Sequence, residues 1–278
     1  MKYVELNISV EDALQAEILT ALLSDYPFEA FADEESQLKA YIQQESFDEC
    51  REEVEQLLAS QQVDFQVADV EQQNWNAEWE SGFEPVDVAG ERPIRIRAPH
   101  HTPAEGDVID VVIAPRMSFG TGHHATTALM SQTIASTGVE GLRGLDMGCG
   151  TGVLAIVALK SGAEQMVAVD IDDWACDSCR DSIALSGVAD RVDVRCGSIE
   201  QVVAGEQFDF ILANINRNIL ISMMPSFSAL LPTDGLLLMS GFLREDVPYI
   251  EASAMEQGFT VENIIEREGW MVVVCKKM

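Results

Sequence analysis

A two-domain chain is predicted: a doubly wound, mostly parallel α/β sheet closed by an antiparallel hairpin, preceded by a small α+β unit. Three observations carry this. A glycine-rich strand-to-helix turn, Leu145-Asp146-Met147-Gly148-Cys149-Gly150-Thr151-Gly152-Val153-Leu154, is followed by an apolar strand ending in Asp170. From Pro115 onward strands and helices alternate until two consecutive strands end the chain. Residues 1–70 follow a different order, βαββαβ, the split βαβ pattern of a ferredoxin-like domain.

In the first unit Tyr3 to Ile8 alternates with period two and Ala13 to Leu23 has apolar residues at helical spacing. Phe28 to Phe31 and Leu38 to Ile42 form a strand pair, Phe47 to Leu58 a second helix, and Val63 to Val67 a last strand. This unit carries no constellation of catalytic groups, so a substrate-recognition role is expected of it. Residues 71–114 change texture. Trp75, Trp79 and Phe83 fall at i, i+4 and i+8, where they can line one helical face, and Pro93, Pro99 and Pro103 punctuate the rest. This segment is expected to be a linker.

The second unit, 115–278, begins its strands at Gly144 to Met147, with a helix over Leu154 to Lys160 and a strand over Met166 to Asp170. A helix over Trp174 to Leu185 and strands over Val192 to Cys196 and Phe208 to Ile215 follow. Next come a helix over Ile219 to Leu230, a strand over Leu236 to Ser240 and a helix over Glu245 to Gln257. Phe259 to Ile265 and Trp270 to Cys275, separated by Glu266-Arg267-Glu268-Gly269, form the closing hairpin.

Glycines 148, 150 and 152 remove Cβ atoms where a ligand lies against the backbone, and Asp170, 20 residues after Gly150, stands where a strand-end carboxylate meets a ribose. A dinucleotide fingerprint places its third glycine three positions after the second, but that position is Val153. The spacing GxGxG, with the closing hairpin, points instead to S-adenosylmethionine (SAM) and to a SAM-methyltransferase sheet.

Composition narrows the class. The 278 residues include 47 acidic and 17 basic ones, for a formal charge of −30, a field that repels phosphates and attracts basic partners. Direct nucleic-acid binding is not expected, although the acidity has a second reading as a solubility device. No run approaches the ~18 apolar residues of a membrane helix, and the N-terminus lacks an apolar leader, so a cytoplasmic protein is expected. The six cysteines do not make a disulfide framework, and reduced thiols are expected. Cys176-x-x-Cys179 lacks a second pair, so no metal is expected. Cys149 fills a tight turn.

Ahead of the first strand of the sheet stands Gly120-Thr121-Gly122-His123-His124-Ala125-Thr126-Thr127. This resembles the G-T-G-x-H-x-T-T signature of the ribosomal protein L11 methyltransferases. The similarity extends to the glycine turn, to Asp170-Ile171-Asp172, to Ala213-Asn214-Ile215 and to Leu237-Leu238-Met239-Ser240-Gly241-Phe242-Leu243. The resemblance implies a cytoplasmic enzyme that uses SAM to trimethylate lysine or N-terminal amines of one basic ribosomal protein. It further implies that Thr127, Gly148, Asp170 and Asn214 contact SAM. Gly150 belongs to the same turn, and Phe119 and Thr121, in a glycine-flanked loop, are expected to cover the cofactor. Asn214 and Ile215 are expected to orient the acceptor amine through carbonyl acceptors, with Asn216-Arg217-Asn218 bordering its pocket. His123 and His124 take a capping or loop role. A monomer is expected. Two other functions fit the residues: an N-methyltransferase for another protein or a small amine, and a SAM-binding interaction protein without turnover. Asn214-Ile215-Asn216 has a faint likeness to the Asn-Pro-Pro-aromatic motif of enzymes that methylate planar nitrogens, without its prolines or aromatic.

Overall fold

The computed structural model describes residues 3–10, 12–24, 26–34, 37–61, 63–70, 83–114, 120, 122–202 and 205–278. The chain divides into two compact units, Met1–Trp75 and Asn76–Met278.

In the first unit β1 (Tyr3–Ser9), α1 (Ala13–Leu23), β2 (Phe28–Glu34), β3 (Gln37–Gln43), α2 (Gln44–Ser60) and β4 (Phe65–Val70) make an antiparallel sheet of order β2-β3-β1-β4. This is the ferredoxin-like arrangement the sequence predicts. Alternation along β1 sends Val4, Leu6 and Ile8 into a core with Leu19, Leu23, Ile42, Phe47 and Leu58. Asp12 caps α1 by accepting from the Gln15 amide at 2.8 Å, the bond that fixes where the helix begins.

The second unit opens with a feature the sequence reading placed inside a linker. Residues 86–112 contain β5 (Val86–Val88), β6 (Ile94–Arg97) and β7 (Ile109–Val112), paired as a three-stranded sheet. Val88, Ile94, Ile96, Val111 and Ile113 join the same apolar core as the helix that follows the glycine turn. The linker expectation is therefore corrected for this stretch: its strands are three or four residues long and flanked by prolines, which masks their alternation. Arg97 is buried, and its guanidinium forks onto Asp110 at 2.7 and 2.8 Å, tying β6 to β7. Phe83 is also buried, its ring 4.9 Å from that of His123; Trp75 and Trp79 lie outside the described residues.

α3 (Ala125–Ser136) precedes the large sheet. Five strands run parallel: β8 (Arg143–Met147), β9 (Gln165–Asp170), β10 (Val192–Cys196), β11 (Phe210–Asn214) and β12 (Leu236–Leu243). Between them lie α4 (Val153–Lys160), α5 (Asp173–Leu185) and α6 (Arg217–Leu230), and α7 (Val247–Glu256) follows β12. The hairpin β13 (Phe259–Arg267) and β14 (Trp270–Lys277) adds antiparallel strands, giving the order β10-β9-β8-β11-β12-β14-β13. Two apolar cores contain residues of opposite strand faces, Leu212 in one and Ile211 and Ala213 in the other, so the central strands are buried throughout. The direction of winding reverses between β8 and β11, which places a crevice beyond the carboxyl ends of these two strands.

Among the described residues no helix is long and apolar enough to cross a membrane. Cys176, in the first turn of α5, and Cys196, at the end of β10, lie side by side with their Cα atoms 5.9 Å apart. Sequence spacing could not show this, because the parallel pairing of β9 with β10 is what puts Cys196 beside Asp170.

Candidate active site

The crevice at the reversal holds a cavity of 650 Å³. Its floor on one side is Met147, Gly148 and Gly150, with Asp170, Ser198 and Ile199 beyond them. On the other side stand Asn214, Ile215 and Asn216, backed by Gly241 and closed by His124 and Trp270. Strands or the residues just after them supply Met147, Gly148, Asp170, Asn214, Ile215, Gly241 and Trp270, so the sheet sets the spacing of these groups.

Gly148 and Gly241 fix the middle of the site. Gly148 has φ 76°, and a Cβ there would stand 2.3 Å from the Ile215 side chain. Gly241, φ 96°, lies where β12 bulges against β14, and a Cβ there would stand 2.4 Å from the carbonyl oxygen of Ile215. Ile215 is therefore held between two bare backbones, and its amide donates to the Ser240 carbonyl at 3.1 Å. This pins the Asn214-Ile215 turn at the cavity wall.

Asp170 is held as an acceptor. One carboxylate oxygen receives the Gly150 amide at 2.9 Å and the other the Asp172 amide at 3.1 Å. Each oxygen keeps further lone-pair capacity, so a pair of vicinal hydroxyls can be taken without disturbing the turn. Across the crevice the side-chain oxygen of Asn214 is buried and finds no hydrogen-bond donor among the described residues. A buried amide oxygen without a donor costs on the order of 1–3 kcal/mol, and a ligand N–H or ammonium entering the cavity satisfies it.

The remaining predicted residues fall into place unevenly. Gly150 lines the cavity, but Thr127 does not: it is buried in the first turn of α3 with its hydroxyl unpartnered, and Thr126 lines the cavity in its stead. His124 caps α3, its ring nitrogen accepting from the Thr126 amide at 3.3 Å, which agrees with the capping role expected of it. Phe119 and Thr121 lie outside the described residues. Gly120 gives its carbonyl to the Thr151 hydroxyl at 2.7 Å, which ties this residue to the glycine turn. Asn216 caps α6 and borders the cavity, whereas Arg217 turns to Asp246 and the ring of Tyr249. Among the described residues no cluster of three or more His, Cys, Asp or Glu could hold a metal.

Beneath the turn, Asp146 is fully buried, and desolvation pushes its carboxyl up to about 7. It accepts from the Ala155 amide at 3.1 Å, which holds the start of α4. Cys149 hydrogen-bonds the Cys179 thiol, and that contact together with burial raises its own thiol, which makes it a packing group and no nucleophile. Sequence reasoning missed Gly241, Trp270 and Ser198 as members of the site. Gly241 follows the apolar run of β12 and Trp270 opens that of β14, and nothing in linear spacing brings these strands to the crevice.

The family model described as ribosomal protein L11 methyltransferase (PrmA) matches residues 5–278. A protein of that name from Phocaeicola vulgatus is 34% identical over 280 residues, covering 98% of each chain. Another from Porphyromonas gingivalis is 38% identical over 261 residues, 91% of this chain and 88% of the other. The crystal structure of a ribosomal protein L11 methylase from Lactobacillus delbrueckii subsp. bulgaricus superposes with a TM-score of 0.64 at 27% identity, over 70% of this chain and all of that one. The reach of the family model over residues 5–278, with relatives 34% and 38% identical over most of the chain, places the protein in the ribosomal protein L11 methyltransferase family.

Proposed function

We propose that this chain is a SAM-dependent N-methyltransferase that trimethylates lysine or N-terminal amines of ribosomal protein L11. The observation that supports it most is the buried side-chain oxygen of Asn214, which finds no donor among the described residues, set across the crevice from the amide-held carboxylate of Asp170. The residues fit the cofactor. Asp170 would hold the ribose hydroxyls, the turn at Gly148 and Gly150 would border it, and Thr126, which lines the cavity, would close over it with Phe119 and Thr121. SAM supplies a methyl group already activated on a sulfonium.

The chain's task is then to desolvate and aim an amine. A lysine amine titrates near 10.4 in water and must lose a proton before it can attack. Ile215, Ile219 and Met223 give the acceptor side of the cavity an aliphatic wall, which disfavours the charged form of the amine. Asn214 and the carbonyl of Ile215 would accept from its N–H groups and set its direction. Alignment of this kind supplies roughly 7–11 kcal/mol in favourable cases. The βαββαβ unit is assigned the reading of the protein substrate, and the acidic surface draws that basic partner in.

The test is transfer of labelled methyl from SAM to purified L11, with mass spectrometry of the product. Wild-type protein should give trimethylated amines, and Asn214→Ala should lower kcat by about a hundredfold while remaining folded. Absence of transfer by the wild type to L11 would refute the assignment.

A further inference from the structure

We propose that Trp270 is a specificity-determining residue of the acceptor side, its indole serving as a π-wall that receives the cationic amine nitrogen; this rests on the N-methyltransferase reading above. Trp270 is the first residue of β14, directly after the two-residue turn Glu268-Gly269, both at positive φ, and opposite Leu243 at the end of β12. The hairpin thus delivers the ring to the crevice end of the sheet. It lines the cavity beside Ile215, and it meets the His124 ring at a centroid distance of 4.6 Å and an interplanar angle of 67°. An edge contact of that kind holds both rings in orientation.

Distance along the sheet decides which ligand meets this ring. β9, which bears Asp170, is separated from β14 by β8, β11 and β12, four strand spacings or about 19 Å. In SAM the sulfonium stands only two bonds from the ribose ring. A nucleoside held at Asp170 therefore ends over β8 and β11, and the space before Trp270 belongs to the acceptor. As the amine nitrogen bonds the methyl carbon, the electron pair of the carbon–sulfur bond goes to sulfur, nitrogen becomes a cation, and the proton it then loses passes to water. An aromatic face is attracted to that cation, where an aliphatic wall would only desolvate it. The same face retains mono- and dimethylated nitrogens while they are protonated, until loss of the proton to water frees the lone pair for the next round.

The experiment measures binding of a trimethyllysine peptide of the L11 sequence, and of its uncharged carbon isostere, to the full chain loaded with S-adenosylhomocysteine. The acidic surface attracts any cation, so the quantity read is the change in cation preference between wild type and Trp270→Leu. Wild type should prefer trimethyllysine by about tenfold more than Trp270→Leu does, with Trp270→Phe between them. SAM affinity should stay within twofold. Fluorinated tryptophans at 270, which keep the shape and weaken the π-face, should lower the preference in step with fluorine count. An unchanged preference in Trp270→Leu, or a flat fluorination series, overturns the proposal, as does a tenfold loss of SAM affinity. A wild type that shows the preference yet transfers no methyl to L11 would sink the function proposed above and leave the π-wall standing.

Discussion

At the residue scale, two aspartates twenty-four positions apart play opposite electrostatic parts. Asp170 is exposed to the crevice and already oriented by two amides, so its removal takes away charged hydrogen bonds that are worth on the order of 1.5–3 kcal/mol each. Asp170→Ala should weaken SAM binding at least tenfold by calorimetry with the fold intact; unchanged affinity would refute the ribose assignment. Asp146 is buried, and its folded value near 7 stands above the ordinary carboxylate range. A raised acid binds its proton more tightly in the native state, so its contribution to stability is fully present below about pH 4 and is lost as pH rises toward 7. Asp146→Asn keeps an acceptor for the Ala155 amide and cannot ionise. Its stability relative to wild type should therefore climb by several kcal/mol, on the order of 4, between pH 4 and pH 8 in urea unfolding of the ligand-free protein. A difference that stays constant with pH would show that Asp146 is not held neutral.

At the element scale, the path of β12 past the end of β11 sets the acceptor side. Gly241→Ala would drive a methyl group into the backbone of Ile215 and impose positive φ on a side-chain-bearing residue. We expect a stability loss of about 1–3 kcal/mol, and a fall in kcat for methyl transfer that exceeds the change in SAM affinity by at least tenfold. Equal losses in both would mean that the glycine serves the fold alone. The elements themselves were legible in the sequence: strands such as Val192 to Cys196 and helices such as Ala13 to Leu23 stand where periodicity puts them. Asp170 and Asn214 were legible because each ends an apolar run. The helix Ala125–Ser136 and the strands of 86–112 were not, since the first is buried on nearly every side with hydroxyl residues interspersed among apolar ones, and the second are too short to show alternation. Gly241 and Trp270 escaped for a different reason. Their place in the site follows from strand order, which is a tertiary fact.

At the scale of the whole molecule, the βαββαβ unit and the candidate cofactor-binding groups occupy separate stretches of chain. The first unit has its own core around Leu6, Leu19 and Phe47, and every candidate cofactor group lies between Phe119 and Asn214 in the second. A catalytic unit that must present several amines of one partner to a single cavity gains from a tethered reader, which raises the local concentration of substrate. The charge of −30 adds a long-range attraction for a basic protein, screened to about 4 Å at 0.5 M salt. A fragment beginning at Asn76 should then bind SAM within threefold of the full chain but lose at least nine-tenths of methyl incorporation into intact L11. Raising salt to 0.5 M should lower kcat/KM of the full chain on L11 by an order of magnitude and leave SAM affinity almost unmoved. Incorporation by the fragment near the full-length rate would remove the reading role from residues 1–70. A salt-independent kcat/KM would return the acidic surface to a solubility role, because attraction between opposite charges across solvent cannot survive that screening.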